Sequence, residues 1–339
     1  MAKLEDPAAP SDPGTGLLIL IPVYNDWPAF SKLLRLLDES LARSGLRANV
    51  LAVDDGSTLS PDPSTGLGPF KAIGDVRALQ LRRNLGHQRA IAIGLAYVEA
   101  QVPCRAVILM DGDGEDDPND VPRLIECLES SQGRPIVFAE RTRRSESWWF
   151  RICYQVYRVA HLVLTGVAVR VGNFSVIPRE RLMSLVAVSE LWNHYAAAVF
   201  ASRQPFTMLP TRRARRLDGR SRMNFVRLVI HGLSALSVFS DVIGVRMMII
   251  AMLLIGAGLT SLAITVGIRL FTALAIPDWA TTAFGFLFVL LLQAVMFLVV
   301  FCFMILAGRN GSSFLPVRDY VYFVGRYQTL YPRQTAVVE

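Results

Sequence analysis

Two aspartates one residue apart, Asp111 and Asp113, stand where the apolar run Ala106-Val107-Ile108-Leu109-Met110 stops. Carboxylates so placed at the C-terminal end of a buried strand make a hard-oxygen pair suited to Mg²⁺ or Mn²⁺ carrying a diphosphate. An isolated D-x-D is at least as readily a solvated Asp-Gly turn. Here the chain continues Gly114-Glu115-Asp116-Asp117-Pro118, so five acids fall within seven residues. Mutual repulsion makes such a cluster costly unless a cation answers it. The pattern points to a nucleotide-linked donor.

The elements that must position this pair follow from periodicity. The first 140 residues or so alternate apolar runs of strand length with stretches of helical period, as in a parallel α/β sheet. Strands are expected at Leu17–Val23, Val50–Val53, Val76–Leu81, Arg105–Met110 and Pro135–Ala139. Helices are expected at Pro28–Arg43, Gly86–Ala100 and from about Asn119 to Ser130. Ligands of such sheets sit beyond the carboxyl ends of the strands. Three polar turns share that edge: Pro22-Val23-Tyr24-Asn25, Asp54-Asp55-Gly56-Ser57 and Asp111-Gly112-Asp113. Together they form one candidate site.

Composition adds a membrane. The chain is 52% hydrophobic, and the excess is localised: Met247 to Ile268 and Ala280 to Ala307 carry no charged residue. Each is long enough to cross a bilayer, so a two-helix transmembrane hairpin is expected with spans at 243–268 and 280–307. Arg222, Arg227 and Arg246 precede the first span and Arg309, Arg318 and Arg326 follow the second, while Arg269 alone lies between them. The basic bias places the catalytic domain and both termini in the cytoplasm, in a multi-pass protein of the inner (plasma) membrane. Residues 1–16 read as a disordered leader, 17–223 as the catalytic domain, 224–242 as a juxtamembrane amphipathic helix and 308–339 as a cytoplasmic tail. Trp148 to Val171 is aromatic and apolar but holds Arg151, Arg158, His161 and Arg170, which suits an interfacial helix. Four scattered cysteines fit a reducing compartment and no zinc site. The net charge of +7 does not point to nucleic acid, because seven arginines crowd between Arg203 and Arg222 beside the amphipathic segment, where anionic headgroups or a phosphorylated lipid lie.

Together these residues resemble the inverting GT-A glycosyltransferases of family two, in the polyprenyl-phosphate branch that includes dolichyl-phosphate mannose synthase. Pro22-Val23-Tyr24-Asn25 resembles the family's P-x-Y-N, Asp54-Asp55-Gly56-Ser57 its D-D-G-S, and Arg83-Asn84-Leu85-Gly86-His87 its R-N-x-G. Asp111-Gly112-Asp113 resembles its metal motif, and Arg216-Leu217-Asp218-Gly219-Arg220-Ser221-Arg222 its R-x-x-G-x-S-K. The resemblance implies a mostly parallel GT-A sheet with flanking helices. It implies that Pro22, Tyr24, Asn25, Asp54, Asp55, Asn84 and Asp111 bind the nucleotide sugar. It implies Mg²⁺ or Mn²⁺ at Asp111 and Asp113, with Glu115 standing where the family has a metal-holding glutamine. The family's G-D-F appears as Gly172-Asn173-Phe174, which departs from the pattern at the carboxylate. Q-x-x-R-W is absent from the sequence, against chain elongation.

The expected reaction moves a monosaccharide from a nucleotide-diphosphate sugar to a polyprenyl phosphate. A phosphate with a second ionisation near about 6 needs little general-base help. What remains is charge neutralisation at Asp113 and capture of the acceptor phosphate by Arg141, Arg151 and Arg216, with Arg143 a further candidate. Arg216 is expected at headgroup depth, apart from the donor turns. His87 is open to a diphosphate contact or to a structural place at a helix start. A hydroxyl acceptor would instead need a base near Glu190 or His194, and a non-catalytic membrane partner is a third reading. Homo-oligomerisation stays open at this stage.

Overall fold

The computed structural model describes residues 16–59, 67–141, 155, 159, 161–167, 171–218, 225–272, 278–310 and 314–332. Two compact units divide them: one holds residues 1–156, 168–238 and 314–339, the other 157–167 and 239–313.

The first unit is built on an eight-stranded sheet of order β7-β5-β6-β4-β1-β2-β3-β8. Its strands are β1 (Leu17–Val23), β2 (Ala48–Asp54), β3 (Ile73–Leu81), β4 (Ala106–Leu109), β5 (Ile136–Arg141), β6 (Val171–Pro178), β7 (Phe206–Thr211) and β8 (Val324–Tyr331). The centre, β3-β2-β1-β4, is parallel. Its β1 is buried along its whole length, as a strand covered on both faces must be. Leu18 and Leu20 face one core layer under helix α2 (His87–Gln101). Leu17, Ile19 and Ile21 face the other, where α1 (Trp27–Arg43) buries Trp27, Phe30, Leu33, Leu34, Leu37 and Leu41 at helical spacing. Helix α3 (Asp120–Ser130) joins that layer through Val121, Leu124 and Ile125. The order reverses at β1, with β2 on one side and β4 on the other, which opens a crevice beyond their carboxyl ends.

The sheet is mixed rather than parallel throughout. Strand β6 runs antiparallel to β4 and β5, and β8 antiparallel to β3. Periodicity foreshadowed none of β6, β7 and β8, and the segment expected as a tail after the second span supplies β8. The physical reason is pairing: β3 without a neighbour would leave a row of backbone groups unmatched, and Val324–Tyr331 satisfies them. Tyr327 of β8 then packs on Tyr97 of α2 and takes a 2.9 Å hydrogen bond from Arg77 of β3. The remaining helices of this unit are α4 (Arg179–Leu185), α5 (Tyr195–Ala201), α6 (Phe225–Ser237) and the short α9 (Pro316–Asp319).

The second unit holds α7 (Ser240–Phe271) and α8 (Asp278–Asn310). Met248 meets Cys302 at 3.7 Å, and Gly258 lies against Leu291, so the two helices pack antiparallel. Within them Ser240–Ile268 and Phe284–Met304 are long and apolar enough to cross a membrane. The first helix runs longer at both ends than the span expected from the sequence.

One buried carboxylate staples α1 to the strand that follows the 60–66 segment. Asp38 accepts backbone N–H bonds from Lys71, Ala72 and Ile73 at 2.7 to 3.0 Å. Burial raises the pKa of this carboxyl, but the three amides outweigh it and hold the value below the ordinary one. A group with a depressed folded pKa stabilises above its unfolded pKa, near about 3.9, and loses that contribution as pH falls through the folded value. Asp38→Asn is therefore expected to lose about 1–3 kcal/mol at pH 7. In urea melts of the detergent-solubilised protein, the gap to wild type should narrow below about pH 4.

Candidate active site

The carboxyl edge of β1, β2 and β4 gathers the polar turns, and each turn is held by another. Val23 O accepts from Asp55 N at 2.9 Å, which ties the end of β1 to the end of β2. Asn25, in a left-handed conformation with φ 51°, donates its N–H to Ser57 Oγ at 2.8 Å. Its Oδ1 accepts from Thr58 N and Leu59 N at 2.9 and 3.0 Å. Asp54 Oδ1 accepts from Ser57 N at 2.9 Å. Asp55 commits both carboxylate oxygens to the next turn, accepting from Leu85 N at 2.7 Å and Gly86 N at 2.9 Å. Asn84 closes the loop by donating to Asp55 O at 3.1 Å. Gly56 shows how tight this contact is: at φ +67° a Cβ would lie 2.6 Å from Asn84 N. Tyr24 stands exposed at the rim.

The acid pair sits between His87 and Arg216. Asp111 Oδ1 lies 3.1 Å from His87 Nε2 and accepts from Asn173 Nδ2 at 3.4 Å. Asp113 Oδ2 pairs with Arg216 Nη1 at 2.9 Å, while Asp113 Oδ1 accepts from Glu115 N at 3.0 Å. The other guanidinium nitrogen of Arg216 pairs with Asp26. Glu115 pairs with Arg213, and its carbonyl accepts from Ala214 N at 2.9 Å. Buried Asp116 accepts from Asp111 N at 3.0 Å. Burial, then the neighbouring Asp111 and Glu115, push the Asp113 carboxyl above its ordinary pKa, although Arg216 pulls the other way. Burial likewise raises Asp55. At His87 desolvation disfavours the charged ring, but Asp111, Asp113 and Asp55 prevail and hold the imidazole above its usual value.

The structure thus brings Asp54, Asp55, Asn84, Asp111, Asp113 and Arg216 to one edge, and separates others. Glu115 faces the 212–216 segment. Among the described residues no three acidic, histidine or cysteine side chains converge as a metal cage. Of the expected ligands Asp111, Asp113 and Glu115, the last is ion-paired with Arg213. Arg216 lies on the acid pair instead of apart from the donor turns, since Asp113 and Asp26 would otherwise face each other uncompensated. Backbone pairing with Thr211 places Arg141 at the end of β5. Arg143 and Arg151, and most of the expected interfacial helix at 148–171, lie outside the described residues. His194 is buried: its Nδ1 accepts from Ala197 N at the start of α5, and its Nε2 meets His231 Nε2 of α6 at 3.3 Å. Glu190 takes a local bond from Ser189.

Sequence reasoning missed Asp26, Gln88 and Arg213. Asp26 was in view, one residue beyond Pro22-Val23-Tyr24-Asn25, and Arg213 lay in the noted basic run. Gln88 gave no signal, because its partners come from β6 and α5, which only the fold brings against α2.

Residues 18–182 match the description Glycosyl transferase family 2. Within those residues the chain is similar to glycosyltransferase family 2. It is 28% identical over 161 residues to the undecaprenyl-phosphate 4-deoxy-4-formamido-L-arabinose transferase of Erwinia tasmaniensis, covering 48% of this chain and 47% of that one. It is 33% identical over 153 residues to the transferase of the same name from Pseudomonas syringae pv. syringae, covering 44% and 43%. Against these two, the chain spans a little under half the length of the relative. With that of Salmonella paratyphi B the identity is 25% over 330 residues and 95% of each chain. Among solved structures, glucosyl-3-phosphoglycerate synthase from Mycobacterium tuberculosis, in complex with Mn²⁺, UDP and phosphoglyceric acid, is similar at a TM-score of 0.48 and 16% identity, over 68% of this chain and 79% of that one.

The segment carrying Arg213 and Arg216 closes on the acid turn through Leu217 N, which donates to Asp113 O at 3.0 Å. Gly114, at φ +80°, makes room for it, since a Cβ there would meet Leu217 Cγ at 2.3 Å. Gly114→Ala is expected to cost about 1–3 kcal/mol and to displace this segment. Faster amide exchange at 214–217, with β1 and β2 protected as before, would be the signature. Unchanged exchange there would show that the contact does not hold the segment.

Proposed function

We propose that this protein is a membrane-bound inverting glycosyltransferase that moves a monosaccharide from a nucleotide-diphosphate sugar to a polyprenyl phosphate on the cytoplasmic face. The observation that carries the reading is the Asp111 and Asp113 pair, held at the switch point of the sheet beside the Asp54–Ser57 turn with Arg216 upon it. The relatives named undecaprenyl-phosphate sugar transferases, one aligned over 95% of its length, support the acceptor class.

Two hard carboxylates fit Mg²⁺ or Mn²⁺ that arrives with a diphosphate, because such ions are commonly held by one or two carboxylates plus phosphate oxygens. Held by Asp111 and Asp113, the ion would neutralise charge on the departing nucleoside diphosphate. The nucleoside falls to the Pro22–Asn25 and Asp54–Ser57 turns, with Tyr24 at the rim to stack on a base. Asp55 and Asn84 fix the shape of that pocket from behind, through the Leu85 and Gly86 amides. Arg216 has two nitrogens directed at carboxylates and can pass one to a phosphate oxygen; Arg141 is a second acceptor candidate. Attack on the anomeric carbon by a phosphate that is already largely ionised asks for positioning rather than a base. The commitments of His194 and Glu190 to capping and local bonds favour this over a hydroxyl acceptor.

The test is release of nucleoside diphosphate by the purified protein across a panel of nucleotide sugars with Mn²⁺. Release should require undecaprenyl phosphate and fail with undecaprenol. Asp113→Ala should fold and lose about 10²–10³-fold in turnover. Equal rates with the alcohol, or near-wild-type turnover of Asp113→Ala, would overturn the reading.

The orientation is tested separately. Arg246 opens α7 and Arg309 closes α8, whereas Arg269 alone lies near the connection. A cysteine replacing Thr272 in an otherwise cysteine-free chain should react with an impermeant maleimide in intact cells, and one replacing Glu129 should react only after permeabilisation. The reverse pattern would invert the topology.

A further inference from the structure

The polar chain behind Asp111 has a direction, and its residues set that direction one after another. It begins at Tyr195, a fully buried residue at the start of α5. The backbone N–H of Tyr195 donates to Gln88 Oε1 at 2.8 Å. Gln88 is buried on α2, so its amide cannot be turned without setting an N–H group against that N–H. With its oxygen so used, Gln88 presents Nε2 to Asn173 and donates to Oδ1 at 3.1 Å. Asn173 is fixed in turn: its oxygen faces Gln88, and its Nδ2 faces Asp111 Oδ1 at 3.4 Å and His87 Nε2 at 2.9 Å. The backbone of Asn173 is held as well. Ser175 Oγ donates to Asn173 O at 2.9 Å and lies 2.6 Å from the hydroxyl of the same Tyr195. A side-chain amide can offer either an oxygen or N–H groups to a carboxylate, and only the N–H end is attractive. Here a backbone N–H two residues removed makes that choice.

We infer that Asn173 is a positioning residue for Asp111, an amide locked by Gln88 and Tyr195 with its donor end toward the carboxylate, so that Asp111 meets the donor diphosphate and its cation in one orientation. The inference rests on the reading of Asp111 and Asp113 as the donor site. Gln88 touches neither Asp111 nor Asp113 in this scheme and acts only through Asn173. A partner behind a metal-binding carboxylate fixes its rotation, and loss of such a partner typically lowers metal affinity or activity by about 10–100-fold.

A double-mutant cycle separates this role from a general structural one. Mn²⁺ alone serves as the probe, with free Mn²⁺ read by electron paramagnetic resonance in the full-length protein in detergent. Asn173→Ala should raise the Mn²⁺ dissociation constant by about tenfold or more and raise the KM for nucleotide sugar, leaving the KM for undecaprenyl phosphate unchanged. Gln88→Met should shift the same two quantities by a smaller factor. In the Asn173→Ala background Gln88→Met should add nothing, because its route to Asp111 is already gone. Asn173→Ser carries the same expectation as the alanine if the latter does not fold. Unchanged Mn²⁺ affinity in a folded Asn173 variant, or losses that multiply in the double variant, would overturn the inference while leaving the donor site standing. A wild-type protein that binds no Mn²⁺ and releases no nucleoside diphosphate would remove the donor-site reading and this inference with it.

Discussion

Crowded negative charge is the constraint to which this site answers. Asp54, Asp55, Asp111, Asp113, Glu115 and Asp116 meet at the carboxyl edge of three parallel strands, and Asp26 faces them from the start of α1. Unanswered, carboxylates this close would repel one another and drive their pKa values up. The fold meets them with its own groups: amides of Ser57, Leu85, Gly86 and Asp111 for the more buried acids, Arg216 and Arg213 for those nearer solvent. Much of the local architecture follows from these pairings. The R-N-L-G turn takes its shape from Asp55, and the 213–217 segment lies where Glu115 and Asp113 draw it.

The same pairings divide scaffold from chemistry. An acid whose oxygens are taken by backbone amides has a fixed job in the fold, and Asp55 and Asp38 are of this kind. Asp111 and Asp113 differ. Their side chains keep a quarter and a fifth of their surface exposed, and their partners include the side chains of His87 and Arg216. An ion pair with a guanidinium can be exchanged for a phosphate at little cost in packing, whereas an amide cradle cannot be opened without unfolding a turn. On the proposed reading, that difference sets Asp111 and Asp113 apart from the other nearby acids.

The chain leaves its first unit after Val238 and returns to it at Phe314. The two long apolar helices are thus an insertion, and β8 closes the sheet after them. This arrangement gives the sheet an edge strand that is complete only once the hairpin has been made. Folding of the β3 edge therefore waits on the last part of the chain, in keeping with the late arrival of non-local strand pairs.

Sequence alone determined the elements whose signal is local. The buried runs at Leu17–Val23 and Ala106–Leu109, the amphipathic α1 and the charge-free stretches of α7 and α8 each carry their own period or length, so they could be read without partners. Asp111, Asp113, Asp54 and Asp55 were legible because the end of a buried strand fixes where a turn must lie. Strands β6, β7 and β8 were not, because short segments of mixed polarity become strands only when a neighbour offers its backbone. Nor could sequence say which acid holds which cation. Arg216 lies 103 residues from Asp113, and Asn173 lies 62 from Asp111. Such contacts depend on how the sheet is ordered, and the direction in which an amide points depends on a hydrogen bond from a third element. Electrostatic partners and amide orientation are therefore properties of the folded arrangement, since each is chosen by competition among groups that only the tertiary structure brings within reach.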